Sequence, residues 1–183
     1  WVTGYDVPAF HEGYLKKELL DLDRPRGLWW PVMWNLDRKR LQDVRVREAL
    51  WYLSDFRWYN RVLMYGFYKA ADSYFYNSKM ASDGLPSEAE LELLKPWRGQ
   101  IPERVFTEEW TGLKSDGFGR SRENLKRSLA LFAEAGYEVV DGVMRDTRTG
   151  VPFTIDFIFV SPFALRQEKP LMAAMNDIGI ATT

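Results

Sequence analysis

A single histidine and the absence of cysteine set narrow limits on the covalent chemistry this 183-residue chain can carry. Without Cys there is no thiol nucleophile, no disulfide and no thiolate metal site. His11-Glu12 is not followed by the x-x-His of a zinc-binding helix, so His11 reads as a surface residue. Ser115-Asp116-Gly117 lacks the glycine two places before the serine that a nucleophile elbow needs. Gly112 to Gly119 contains no Gly-Lys-Ser/Thr and forms no phosphate loop. Asp21 with Asp23 and Glu108 with Glu109 are carboxylate neighbours of the kind that act as acid and base or hold a hard cation. No organised motif surrounds either pair, so both read as solvated charges. The expectation is no enzyme, no metal and no cofactor.

Recognition by stacking and enclosure is better represented. Aromatic residues make up 15% of the chain, with 8 Trp, 9 Tyr and 11 Phe, more than a core alone requires. Five of the 8 Trp fall between Trp29 and Gly66. By default Trp29, Trp30, Trp34, Trp51 and Trp58 are core or interface residues, with Trp30 and Trp34 sharing one strand face. The 25 basic and 26 acidic residues leave a net charge of −1, which gives no field to attract nucleic acid. Arg38-Lys39-Arg40 reads as a solvated turn rather than a phosphate contact.

The elements that must position these residues follow from periodicity. Leu28, Trp29, Trp30, Val32, Met33 and Trp34 form an apolar run that predicts a strand, with Pro31 near an edge or bulge. Val46, Ala49, Leu50 and Leu53 line one face of a helix capped by Asp43. A second helix starts at Phe56 behind Ser54 or Asp55, turns Tyr59, Val62 and Leu63 to one side, and stops at Gly66. Phe67 to Asn77 is an aromatic connection without clear period, and Met80 to Pro86 a loop. Ser87 and Glu90 form a capping box for a short helix carrying Leu91 and Leu94 that Pro96 ends. Trp97 to Gly119 is a long loop region holding Trp97, Phe106 and Trp110, of the kind that tends to be functional.

The second half is more regular. Ser121 caps a helix with Leu125, Leu129 and Phe132 facing inward, closed by Gly136. Tyr137 to Val140, Asp141-Gly142 and Val143 to Arg145 predict a hairpin with a type I′ turn, and Thr147 to Gly150 a second turn. Val151, Phe153, Ile155, Phe157 and Phe159 alternate with Pro152, Thr154, Asp156 and Ile158, which predicts a long strand. A last helix carries Leu171, Met175 and Ile178, with Pro170 either in its first turn or marking its start. Gly179 to Thr183 reads as a strand beginning. The result is an α/β (α+β) layer, a mixed sheet flanked by helices.

Several blocks in order carry a resemblance to a known family. Asn35-Leu36-Asp37, Gln42-Asp43-Val44-Arg45-Val46-Arg47-Glu48-Ala49-Leu50 and Ser54-Asp55-Phe56 resemble the signature segment of family 5 extracellular solute-binding proteins. Tyr65-Gly66, Asp72-Ser73-Tyr74-Phe75, Asn77-Ser78, Gly84-Leu85-Pro86-Ser87 and Glu90-Leu91-Glu92-Leu93-Leu94 are similar to its microcin C and oligopeptide-type subgroup.

The resemblance implies a two-lobed binding protein that closes around a peptide or peptide-like solute and delivers it to an ABC permease in the membrane. Residues 1–27 would lead in from the first lobe or hinge, and residues 28–183 would form a C-terminally incomplete, periplasmic binding protein-like second lobe. The chain opens on Trp1 and has no signal-peptide or membrane-spanning stretch, so it reads as a piece of a longer protein. The expected setting is periplasmic, or an extracellular lipoprotein anchored to the membrane, and the expected state a monomer. By the resemblance, Trp34, Asn35, Ser73, Tyr74 and Phe75 line the interlobe cleft. The family's acidic Trp-x-Ala-Asp-like loop is not in this sequence. An aromatic-rich carbohydrate-binding or protein-interaction module is the other function class the composition allows.

Overall fold

The computed structural model describes residues 4–18, 20 and 32–183. The elements run α1 (Pro8–His11), α2 (Lys39–Gln42), α3 (Val44–Tyr52), α4 (Phe56–Leu63), α5 (Glu88–Leu94), α6 (Arg104–Thr107), α7 (Arg122–Glu134), β1 (Tyr137–Val140), β2 (Val143–Asp146), β3 (Thr154–Ile155), α8 (Pro162–Asp177) and β4 (Ala181–Thr182). Among the described residues, none before Leu41 is fully buried, and Trp34 packs against the core from outside it.

Helix α3 forms as its pattern predicts. The Asp43 carboxylate accepts the Arg45 N–H at 2.9 Å, and Val46, Ala49, Leu50 and Leu53 are all buried. They pack against α7. Here the expected face shifts by one position: Leu125 and Leu129 lie toward solvent, and the buried stripe is Asn124, Ser128, Leu131 and Phe132. Two polar residues stand on it because each has a partner. Ser128 Oγ donates to the Ala49 carbonyl at 2.8 Å, and Asn124 Nδ2 to the Lys114 carbonyl at 3.1 Å. A buried polar group bonded in this way avoids the desolvation cost that an unbonded one would carry.

The hairpin β1–β2 is antiparallel, pairing Tyr137 with Asp146 and Val140 with Val143. Asp141 (φ +49°) and Gly142 (φ +76°) both take the left-handed conformation that a type I′ turn demands. The second turn also forms, its Arg148 and Thr149 N–H groups bonded to the Asp146 carboxylate at 2.9 and 3.0 Å. Residues 151–153 then run back along β2 through Asp146 N–H to the Val151 carbonyl and Phe153 N–H to the Met144 carbonyl.

The expected long strand from Val151 to Phe159 forms a regular ladder over Thr154–Ile155, with Pro152 bridged antiparallel to Arg145 before it and the Phe157 N–H bonded to the Thr183 carbonyl after it. Its alternation still describes the faces: Phe153 and Ile155 are buried while Ile158 is 95% exposed. Hydrophobic period fixes which side chains turn inward, but pairing needs a neighbour, and β4 meets β3 over two residues only. That pairing is parallel, with α8 as the crossover, so β3–α8–β4 is a βαβ unit beside an antiparallel hairpin.

Helix α8 starts eight residues earlier than its proline suggests. Ser161 caps it through the Ala164 N–H at 3.2 Å, Pro162 occupies the first turn, and Pro170 lies inside. The interior proline removes one i to i−4 bond, and the apolar face of Leu171, Ala174, Met175 and Ile178 packed on the core carries the helix through. The predicted strand from Leu28 to Trp34 lies mostly outside the described residues. Val32 to Asn35 have no strand pairing, and Trp34 packs edge-on against Phe157 at 6.5 Å.

Candidate functional site

Helix α4 begins at Asp55, the second of the two caps the sequence offers. Its carboxylate accepts three hydrogen bonds: the Trp58 N–H at 3.0 Å, the Ser115 hydroxyl at 2.6 Å and the Gly119 N–H at 2.9 Å. The last two are separated from it by some sixty positions of sequence. From the same helix, Arg57 donates to the Ser115 carbonyl at 3.0 Å and Arg61 to that of Gly117. Gly119 packs on the Trp58 ring, where an added Cβ would meet Trp58 Cδ1 and Nε1 at 3.2 Å. The end of the 108–119 loop is therefore fastened to α4. None of the residues of α4 is fully buried, and Val62, expected inward, lies toward solvent.

Burial raises the Asp55 pKa, and the hydrogen bonds from Ser115, Trp58 and Gly119 outweigh it, leaving the carboxyl below its ordinary value. A group depressed in the folded state contributes stability above its unfolded pKa of about 3.9, and that contribution is lost as pH falls through the folded value. Asp55→Ala removes the cap and strands two donors, so about 2–3 kcal/mol of stability should disappear at pH 7. Asp55→Asn keeps a capping oxygen and should cost less. Urea midpoints at pH 7 and pH 3 check both, and the deficit of either variant should shrink at the lower pH.

The start of the same loop carries Trp110, which stacks on Trp51 of α3 with centroids 5.3 Å apart and planes 20° from parallel. Phe106 of α6 is buried under the Arg98 guanidinium, 4.2 Å from its centroid. Arg104 forms a two-pronged ion pair with Glu48 of α3 at 2.9 and 3.2 Å. So the long loop is tied to α3 at one end and to α4 at the other.

Opposite Trp110, residues 71–82 fold into two tight turns. Ser73 Oγ accepts the N–H groups of Phe75 and Ser82, both at 3.2 Å, and Ser78 Oγ donates to the Phe75 carbonyl at 2.6 Å. Between them lies an open groove of about 590 Å³ lined by Ser73, Tyr74, Phe75, Lys79, Glu90 and Trp110, among others. Three of the five residues singled out from the sequence thus share one wall. Trp34 and Asn35 do not line it: Trp34 packs against the core, and Asn35 Oδ1 accepts the Asp37 N–H at 2.9 Å in a turn leading to α2. Glu90 and Trp110 were missed as lining residues, the first because its capping box accounted for it, the second because nothing local pairs it with residues 71–82.

A second groove runs along α4, between Phe56, Arg57, Asn60 and Arg61 and the turn at Tyr65 to Phe67. Its arginines already serve the loop carbonyls, and Asn60 is bonded to both the N–H and the carbonyl of Tyr68. Nearby, Gln167 of α8 donates to the Tyr59 hydroxyl at 2.5 Å. Burial pushes the Tyr59 phenol up to about 12 against that donation. These groups are committed to holding α4 in place. Among the described residues no helix is long and apolar enough to cross a membrane.

The model of the bacterial extracellular solute-binding proteins, family 5, middle region, matches residues 2–183. The chain belongs to this family. The probable peptide-binding protein YejA of Agrobacterium fabrum is 37% identical over all of this chain and 30% of its own length. The uncharacterised YejA of Escherichia coli K12 is 31% identical over 98% of this chain and 30% of its own. The chain thus spans about 30% of the length of these curated relatives. NikA from Brucella suis, solved in complex with Fe(III)-EDTA, superposes with a TM-score of 0.50 at 20% identity, covering 81% of this chain and 24% of that one. That likeness shows the fold: an α/β, periplasmic-binding-protein-like arrangement, as the sequence blocks imply.

Proposed function

We propose that this chain is part of the substrate-binding component of an ABC importer for peptides or peptide-like solutes, acting outside the inner membrane. The observation that carries the reading is the family match over residues 2–183, joined to a 37% identical relative named as a probable peptide-binding protein. Residues 28–183 would contribute most of one lobe, with residues 1–27 leading in from the other. The work is then binding, closure and handover to a permease, with no covalent step.

In this reading the groove between residues 71–82 and Trp110 is the ligand-facing surface of the lobe. Ser73 sets the turn, and Tyr74 and Phe75 offer their rings. Trp34 and Asn35 have a supporting role, anchoring the segment that enters α2 against Phe157. Trp110 lines the groove and stacks on Trp51, so a ligand there alters the environment of a coupled indole pair.

The test is intrinsic tryptophan fluorescence of the full-length protein titrated with short peptides. A saturable change with peptides, reduced at least roughly tenfold in affinity by Trp110→Ala, is the expected result. A saturable response to sugars and none to peptides would sink the reading in favour of a carbohydrate-binding module.

A further inference from the structure

We propose that the Asp83-Gly84 link is a site of spontaneous covalent modification: of the three Asp-Gly pairs in the chain, at residues 83, 116 and 141, it is the one that rearranges to isoaspartate in the folded protein. The proposal is independent of the peptide-binding reading.

In an Asp-Gly pair the glycine nitrogen can attack Cγ of the preceding aspartic acid. An N–Cγ bond forms, the Cγ–OH bond breaks and water leaves, which closes a cyclic imide. Water then adds back at either imide carbonyl. Addition at Cγ restores aspartate. Addition at the main-chain carbonyl carbon breaks its bond to the glycine nitrogen, so the chain runs on through Cγ and the old carbonyl becomes a free carboxylate. The net change is an isomerisation: the water released in the first step is taken up in the second, and no electron changes hands. Glycine obstructs the attack least, since it has no Cβ and the widest choice of backbone conformation. Closing the ring still requires rotation about the Asp Cα–C bond, and a pair whose neighbouring peptide groups are hydrogen-bonded must first open locally.

The three pairs differ in how firmly they are held. Asp141 and Gly142 form the corner of the β1–β2 hairpin, closed by Val140 opposite Val143, and the Gly142 carbonyl lies against Gly179. Asp116 is fastened through its side chain and on both sides: its Oδ1 accepts the Phe118 N–H at 3.0 Å, the Ser115 and Gly117 carbonyls accept from Arg57 and Arg61, and the Gly119 N–H is bonded to Asp55. Rotation there breaks several of these contacts together.

Asp83 and Gly84 are both exposed and lie between two anchors, the Ser82 N–H on Ser73 Oγ at 3.2 Å and Ser87 at the cap of α5. Within the described structure no hydrogen bond holds the backbone of residues 83–86 or the Asp83 carboxyl. Gly84 has φ +65° and nothing within 4 Å of where a Cβ would stand, so the segment has room to turn and water reaches it. Rearrangement would add one methylene to the backbone between the two anchors.

The test is to hold the full-length protein at neutral pH in water enriched in heavy oxygen, sample it over time, and map it by proteolysis with electron-transfer fragmentation. Each passage through the imide leaves a heavy oxygen at the residue concerned, and fragmentation distinguishes the rearranged link from the original. Label and isoaspartate should accumulate at Asp83 roughly tenfold faster than at Asp116 or Asp141, the difference being the local opening those two require. Asp83→Glu should abolish conversion at this position and leave the other two unchanged, because the larger ring a glutamate needs forms far less readily. In urea the three rates should level, since the ranking comes from the folded structure. Conversion at Asp116 or Asp141 as fast as at Asp83 in the folded protein, no conversion at Asp83 over a period in which the unfolded chain converts, or the same ranking in urea would each overturn the proposal.

Discussion

Gly179→Ala is expected to lower stability by about 2–5 kcal/mol, combining about 1–2 for forcing an alanine into the left-handed region with about 1–3 for overpacking. Gly179 has φ +82°, and a Cβ built there lies 2.5 Å from the Gly142 carbonyl oxygen, 2.7 Å from Met144 N and 2.9 Å from Val143 Cα. All three are backbone atoms of the hairpin and cannot swing aside as a side chain would. The Gly179 carbonyl also accepts the Met144 N–H at 2.9 Å, so any retreat breaks the bond joining the hairpin to the β3–α8–β4 unit. Behind it, Ile180 is fully buried and β4 begins.

Gly142→Ala is the control that separates the two causes. Gly142 has φ +76° and nothing within 4 Å of an added Cβ, so only the conformational cost, about 1–2 kcal/mol, should appear. Urea unfolding at pH 7 measures both, and the Gly179 variant should show the lower midpoint with an unchanged slope. Equal losses would mean that the close approach contributes nothing.

The hairpin turn was legible in the sequence because Asp-Gly states its own geometry within two residues. Caps behave alike: Asp43, Ser87 and Ser121 each sit within three residues of the N–H they accept. What sequence reading misses depends on distant partners. The face of α7 was misplaced because Asn124 and Ser128 look like solvent residues until Lys114 and Ala49 supply their acceptors. Pro170 drew the start of α8 toward itself, although Ser161-Pro162 carried a cap and first-turn signal of its own. Alternation from Val151 to Phe159 revealed the faces and overstated the ladder.

The candidate site divides along the same line. Ser73, Tyr74 and Phe75 fall within local family-like blocks, and all three border the groove at residues 71–82. Trp110 reaches the groove because the 108–119 loop is pinned by contacts some fifty-five to sixty-five residues away in sequence: Asp55 to Ser115 and Gly119, Arg61 to Gly117, Trp51 to Trp110. No periodicity announces such pairings. Trp34 looked like the end of a strand at a cleft, and its indole instead joins the packing around Phe157.

Phe153→Ala should have the other large effect, about 3–5 kcal/mol, as expected for truncating a buried phenylalanine. Phe153 is 1% exposed and meets two rings edge-on, Phe132 of α7 at 5.7 Å and Tyr137 of β1 at 5.0 Å, which also touch each other at 6.2 Å. The three rings tie helix, hairpin and the approach to β3 into one core, and the Arg40 guanidinium lies 5.8 Å from the Phe153 ring centroid. Phe153→Leu keeps most of the volume and should cost less, while a Phe132→Leu/Phe153→Leu cycle should show a coupling of about 0.5–1.5 kcal/mol from the edge-to-face contact. In thermal melts the alanine variant should fall roughly 6–20 °C, at about 2–4 °C per kcal/mol for a domain of this size. On the proposed peptide-binding reading, the variant should still bind peptide below its melting range, because the groove is lined by residues 71–75, 79–82, Glu90 and Trp110, none of which belongs to this cluster. A variant that loses binding while remaining folded would show that the aromatic core and the groove are one coupled unit.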